Sequence, residues 1–349
     1  MVSWDRGETL AERFRAHAGK AQHLYGHVMR AMADDWETGG PVRVIFAGYE
    51  RAPRGSALPL RLLAGVFRLV LTDRAPELVR YYLCLGGEDP PAGAWPVMRA
   101  VLAEHSAELR AALDVPPQTN EIGRSAALLA GLFDVVAAAG VREVRLYELG
   151  ASAGLNLLVD QIGFRGPGWI FGPADSPVQL TDPIAGEVSA EQFTVTDRGG
   201  CDHHPVDAAS PEGRLLLTSF VWPFDVHRHR RLAGALSLAA DHPVQIDQAS
   251  AADWLIGPLA RPVEGALPVI WHSITQLYWP AEEQAAVESI LAHYGAQHPL
   301  ARISLEFASG DDSSSMPELR TTLWSPGREP RHRRLGTAHH HGVPVRLAG

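Results

Sequence analysis

The residues whose types and spacing could do chemistry begin with Glu148-Leu-Gly-Ala-Ser-Ala-Gly154, which satisfies two patterns at once. As E-x-G-x-S-x-G it reads as a nucleotide-binding turn: Gly150 and Gly154 let the backbone approach a ligand, and the helix that opens after it turns free N–H groups toward it. As G-x-S-x-G, from Gly150 to Gly154, it is the sharp turn that lifts a nucleophilic serine, Ser152, above a sheet. A third reading needs no chemistry, with small residues there only to let a helix pack closely on a strand.

Four other places carry groups that could join this turn. Asp202, in Gly200-Cys-Asp202, follows a candidate strand and could accept both hydroxyls of a ribose, or merely cap a turn before Pro205. Asp253 and Trp254 follow a short strand; in a nucleotide site the acid would accept from an adenine amino group beside an apolar cover, and otherwise they are a helix cap and a core tryptophan. His272 and Ser273 end a strongly apolar strand, where a histidine could serve as general base or as a hydrogen-bonded structural group. Gln118-Thr-Asn-Glu-Ile-Gly-Arg124 precedes an apolar helix: Thr119 or Asn120 could cap it, and Arg124 could present a planar fork to a carboxylate. Two features are set aside. His227-Arg-His-Arg-Arg231 reads as a solvated helix face, and His339-His-His341 reads as an extended run whose neighbours point to opposite faces.

The elements that must position these groups change character along the chain. Residues 8–36 hold apolar side chains at helical spacing, from Leu10 to Met32, and predict one amphipathic helix. Further helices are expected at 58–71, 74–84, 94–113 and 123–139, with Val42 to Phe46 as one short strand. Residues 1–140 therefore form an N-terminal helical region. Residues 141–349 alternate strands with helices, which implies a Rossmann-like α/β core with a mostly parallel sheet. A Gly- and Pro-rich segment, 164–200, reads as a β-rich insertion, and the tail after 318 reads as antiparallel strands.

With 349 residues, 46% of them hydrophobic, the chain can bury one large core or two modest ones. A formal charge of -9 argues against binding a nucleic-acid backbone, and a small-molecule partner is expected instead. Two cysteines suit a reducing compartment, and neither a signal peptide nor a membrane span is expected, so the reading is a cytoplasmic protein without a metal site.

Taken together, Gln118–Arg124, Glu148–Asn156, Gly200–Asp207 with Pro211–Arg214, Val221-Trp-Pro223, Ala251–Leu255 and Trp271–Ser273 resemble the bacterial domain-of-unknown-function family 2332 over nearly the whole chain. That name carries no chemistry. The order of elements is also similar to class I S-adenosylmethionine-dependent methyltransferases. That resemblance implies that Glu148, Gly150, Ser152 and Gly154 hold the methionine and ribose portions of S-adenosylmethionine, with Asn156, Asn120 and Arg124 around them. It implies Asp202 for the ribose, Asp253 with Trp254 for the adenine, and His272 and Ser273 facing a small methyl acceptor. The long insertion before Asp202 and a serine in place of the middle glycine depart from the pattern. The competing expectation is an α/β-hydrolase-type esterase with Ser152 as nucleophile, His272 or a histidine of 339–341 as base and an acid such as Asp311. A non-catalytic module that binds a metabolite or partner is the third.

Overall fold

The computed structural model describes residues 9–53, 56–308 and 315–348; Asp311 lies outside them. The chain divides into two compact units, residues 1–119 with 211–230, and residues 120–210 with 231–349. The apolar helix Ser125–Ala139, grouped by its sequence with the N-terminal helices, falls in the second unit.

The first unit is helical. The expected single helix over 8–36 is two, Leu10–Ala18 and Leu24–Glu37, because Gly19 turns left-handed at φ 49 and His23 caps the second helix by accepting from the Gly26 amide. Val42 to Phe46 is a helix, Pro41–Ile45, rather than a strand: Pro41 sits in the first turn, where its missing N–H costs nothing. Phe14, Val28, Met29, Met32, Leu62 and Phe67 are buried in its core. The Val221-Trp-Pro223 segment belongs here, with Trp222 packed edge-on against Tyr25 and the next aromatic, Phe224, stacked on His23 at 4.0 Å.

The second unit is built on a large, mostly parallel sheet. Its strands are β1 (Glu143–Leu149), β5 (Ile184–Ala185), β6 (Thr194–Asp202), β7 (Ile246–Gln248), β8 (Ala266–Ser273), β9 (Leu300–Glu306), β10 (Glu318–Trp324), β11 (Arg331–Ala338) and β12 (Val345–Leu347), in the order β5-β12-β11-β10-β9-β8-β1-β6-β7. The run β7-β6-β1-β8-β9 is parallel, and β10, β11 and β12 add antiparallel pairs as the tail predicts. Among the described residues β1 is the first strand in the chain, yet it lies inside the sheet between β6 and β8.

Strands alternate their faces, so Leu300 and Ile303 of β9 look to opposite sides. One side meets the helices Ala251–Leu259 and Ala281–Gly295 through Leu255, Val287 and Leu291. The other meets Ser125–Ala139, where Gly131 lies against Ile303 so closely that an added Cβ would stand 2.4 Å from it. The stretch Ile122–Ala139 is long and apolar enough to cross a membrane, but 78% of it is buried inside the protein, and core packing accounts for its composition.

The inserted segment is shorter than 164–200. Three strands, β2 (Gly163–Gly166), β3 (Trp169–Phe171) and β4 (Gln179–Thr181), form a separate small sheet, whereas Thr194 onward joins the main sheet as β6.

Candidate functional site

The strand ends gather most of the expected residues. Glu148 closes β1 and is 2% exposed. Its Oε1 accepts from Trp271 Nε1 at 3.0 Å and, at the limit of a hydrogen bond, from Asn156 Nδ2 at 3.5 Å. Asn156 is itself held by the Ser125 hydroxyl, which donates to its Oδ1 at 2.8 Å. Glu148 Oε2 has no partner among the described residues. Burial pushes this carboxyl up to about 8, with the Asp202 charge adding to the shift and the two hydrogen bonds and the Arg124 charge opposing it.

The glycine turn is fastened to β6. Gly150 and Ala151 both donate their amides to Cys201 O at 2.9 Å, and Ser152 N donates to Asp202 Oδ2 at 2.8 Å. Asp202 Oδ1 accepts from His204 N at 2.8 Å, and Asn120 Nδ2 donates to Ala151 O at 2.7 Å, leaving Asn120 Oδ1 buried without a partner among the described residues. Asp202 and Asn120 thus converge on the turn, but the amides expected to cradle a ligand are already given to the protein. The glycines have a packing reason as well. A Cβ on Gly150 would stand 2.2 Å from Thr275 Oγ1, and one on Gly154 would stand 2.7 Å from Ile246 Cδ1. Ser152 holds a left-handed φ of 53, which costs a non-glycine residue on the order of 1 kcal/mol or more. Beside the turn lies a cavity of about 290 Å³ lined by Ala153, Gly154, Leu158, Val206, Asp207 and Ile246, among others.

Asp253 and Trp254 find their hydrogen-bond partners elsewhere. Ser250 caps the helix Ala251–Leu259 by accepting from Asp253 N at 3.2 Å, and its hydroxyl donates to Asp253 Oδ2 at 2.7 Å; the acid is exposed. Trp254 packs edge-on against Tyr147 at 5.8 Å, and its indole N–H donates to Asp247 Oδ2 at 2.7 Å. The acid at the end of the third parallel strand is therefore Asp247, six residues before the one its sequence singled out.

At the end of β8, His272 is 3% exposed. Its Nδ1 lies 2.9 Å from Glu306 Oε1, at the end of neighbouring β9. The same oxygen accepts from the amides of Thr275 at 3.2 Å and Gln276 at 3.3 Å. The His272 ring packs at 5.5 Å from Trp279. Glu306 escaped the sequence reading because its partner is 34 residues away and only the parallel pairing of β8 and β9 brings them together.

Arg124 acts as a staple. Its Nη1 donates to Ser273 O at 3.1 Å and its Nε to His340 O at 3.0 Å. The histidine run is a turn, not an extended segment: Gly342 N closes on His339 O, and the rings stand 3.8 to 5.3 Å apart by centroid. The expectation of opposite faces fails for that reason. Nor is 227–231 simply solvated, since Arg228 is buried and Arg231 pairs with Glu121 at 3.2 Å. Among the described residues no three His, Cys, Asp or Glu side chains are arranged to hold a metal ion.

The match that these motifs suggested extends over residues 8–346, to the family described as an uncharacterized protein conserved in bacteria, DUF2332. The chain belongs to this family. No curated protein and no solved structure matches it. For this member of the family, then, the polar atoms left open at the strand ends are the guide to chemistry. Among the described residues those are Glu148 Oε2 and Asn120 Oδ1, each buried, while both Asp202 oxygens already hold an amide but keep further lone pairs.

Proposed function

We propose that the second unit binds S-adenosylmethionine in the manner of a Rossmann-like methyltransferase core and that the protein passes the methyl group to a small acceptor. The observation that carries this reading is the order β7-β6-β1-β8-β9. Successive strands run outward from β1 to one side, and then the chain returns to the other side of β1, so the order reverses between β1 and β8. In open parallel sheets ligands bind outside the carboxyl ends of the strands at such a reversal. Glu148, Trp271, His272 and Ser273 end these two strands, and Asp202 ends the next.

The residues fit the ligand at some points and not at others. Asp202 could accept from a ribose without releasing the turn, Glu148 Oε2 and Asn120 Oδ1 await donors such as an ammonium, and the cavity beside the turn is of a size for a base. The glycine-turn amides, Asp253 and Trp254 do not fit, so no role in holding the cofactor is assigned to them. When bound, S-adenosylmethionine would supply an activated methyl group; the chain's part is to position the acceptor and keep water out. Isothermal titration with S-adenosylmethionine and its demethylated product is the test. Binding of both, weakened tenfold or more by Asp202→Ala in a folded protein, is expected; no binding of either at millimolar concentration overturns the proposal.

A serine-hydrolase reading draws on two observations, the left-handed strain at Ser152 and the His272–Glu306 pair. Against it, that fold sets several strands before its nucleophile, and here only β1 precedes Ser152 among the described residues. A fluorophosphonate probe that labels Ser152 in the wild type and not in Ser152→Ala would favour it.

A further inference from the structure

We infer that His272 and Glu306 form a general-base dyad, in which Glu306 is a positioning residue that fixes the imidazole with its proton on Nδ1 and leaves Nε2 to accept a proton from the acceptor. The inference about the acceptor rests on the methyl-transfer reading; the dyad itself rests on geometry.

Glu306 Oε1 receives two backbone amides, from Thr275 and Gln276, and an amide can only donate. That oxygen is therefore an acceptor, and the third group on it, His272 Nδ1 at 2.9 Å, must be a donor too. A neutral imidazole has one N–H, so a donating Nδ1 leaves Nε2 bare and basic. Among the described residues nothing bonds Nε2. The Trp279 ring and the two amides restrict rotation of the ring and of the carboxylate, which is the support a base needs if it is to meet a proton in one orientation. The Arg124 guanidinium is held on the carbonyl of the next residue, Ser273.

A base is useful only for an acceptor that must lose a proton. The class of acceptor is therefore a hydroxyl or an amine, not a thioether or an ionised carboxylate. Its proton passes to Nε2, the electron pair of the broken O–H or N–H bond stays on the oxygen or nitrogen for the new bond to the methyl carbon, the pair of the carbon–sulfur bond that breaks would remain on the donor's sulfur, and the imidazolium is held by Glu306 until it returns the proton to water.

The test uses full-length protein with histidine labelled at both ring nitrogens, His272 being assigned as the signal lost in His272→Gln. The expected spectrum at neutral pH shows a protonated, pyrrole-type Nδ1 and a bare, pyridine-type Nε2; the reverse tautomer overturns the dyad. In Glu306→Gln the tautomers should mix, because an amide side chain can donate to the imidazole as well as accept from it. A His272 tautomer unchanged by that substitution in a folded protein also overturns it. Should Glu306→Gln fail to fold, the wild-type tautomer decides alone. S-adenosylmethionine affinity is measured in parallel: a wild type that binds none removes the methyl-transfer reading and the acceptor class with it, whereas the tautomer still reports on the dyad.

Discussion

Two glutamates end neighbouring regions of one sheet and are buried to a similar depth, 2% exposed for Glu148 and 8% for Glu306, yet they are supplied very differently. Glu306 receives three donors on a single oxygen, two of them from the backbone of the turn that follows β8. Glu148 receives one good donor, one marginal donor and nothing on its second oxygen. Burial alone would make both reluctant to ionise; the count of donors decides what each can do. One carboxylate is built to hold a neighbour still. The other is built to change protonation or to receive a group that the protein does not provide.

The sharpest way to break this contrast is to delete the better-supplied member. Glu306→Leu leaves a buried imidazole N–H and two part-buried backbone amides without acceptors, and a buried loss of this kind costs about 1–3 kcal/mol. Urea unfolding should show a loss of several kcal/mol, and a loss below about 1 kcal/mol would mean that water or another group replaces the carboxylate.

For Glu148 the expected effect is a pH dependence of opposite kind from an ordinary salt-bridged acid. Its folded value, about 8, lies above the unfolded one, so the native state binds the extra proton between them. Stability should be greatest below the usual carboxylate range, fall as pH rises toward 8, and level off beyond it. The fall is at most about 5 kcal/mol for a shift of this size. Glu148→Gln cannot ionise, so the slope between pH 5 and pH 8 should flatten and the variant should be the more stable of the two at pH 8. An equal slope in both proteins would show that Glu148 does not carry this pH dependence.

What could be read from residue order follows the same division. β1 and β8 were legible because alternation and an unbroken apolar run both point to strands buried on a sheet, and the glycine turn marked the end of the first. The Asp202 approach to that turn was legible once a strand was placed before it. Val42 to Phe46 was not, since four apolar residues around Arg43 fit a strand or a helical turn alike and only Pro41 in the first turn tips the balance. Glu306 was invisible for a different reason: which strand ends lie side by side is a property of sheet order, not of spacing along the chain. The histidine run was misjudged because Gly342, at φ 84, folds it into a turn against Gly123 and Arg124.

The glycine turn itself can be tested as packing. Gly154→Ala would place a methyl 2.7 Å from Ile246 Cδ1 on a backbone at φ 69, and about 1–3 kcal/mol of stability should be lost. Ile246→Val removes the nearest atom and should recover part of that loss, by about 1 kcal/mol, because the backbone strain remains. Strict additivity of the two substitutions would separate Gly154 from Ile246 and return the glycine to a role in approaching a ligand.

The smallest effect falls on the acid that sequence order placed at the adenine. Asp253 is exposed, and its work is to complete the cap that Ser250 begins on the helix Ala251–Leu259. Asp253→Asn keeps an oxygen near the Ser250 hydroxyl and should cost under about 1 kcal/mol, and Ser250→Ala, which removes the cap itself, about 1 kcal/mol. Neither should move the S-adenosylmethionine affinity measured by titration. Asp247→Asn differs, since it weakens the acceptor of the Trp254 indole at the end of β7, a strand of the same parallel run as β1 and β8. If Asp253→Asn lowered ligand affinity tenfold while Asp247→Asn did not, the acid three residues into the helix would belong to the ligand site after all, and the division between groups that hold the protein and groups left open for a ligand would have to be redrawn there.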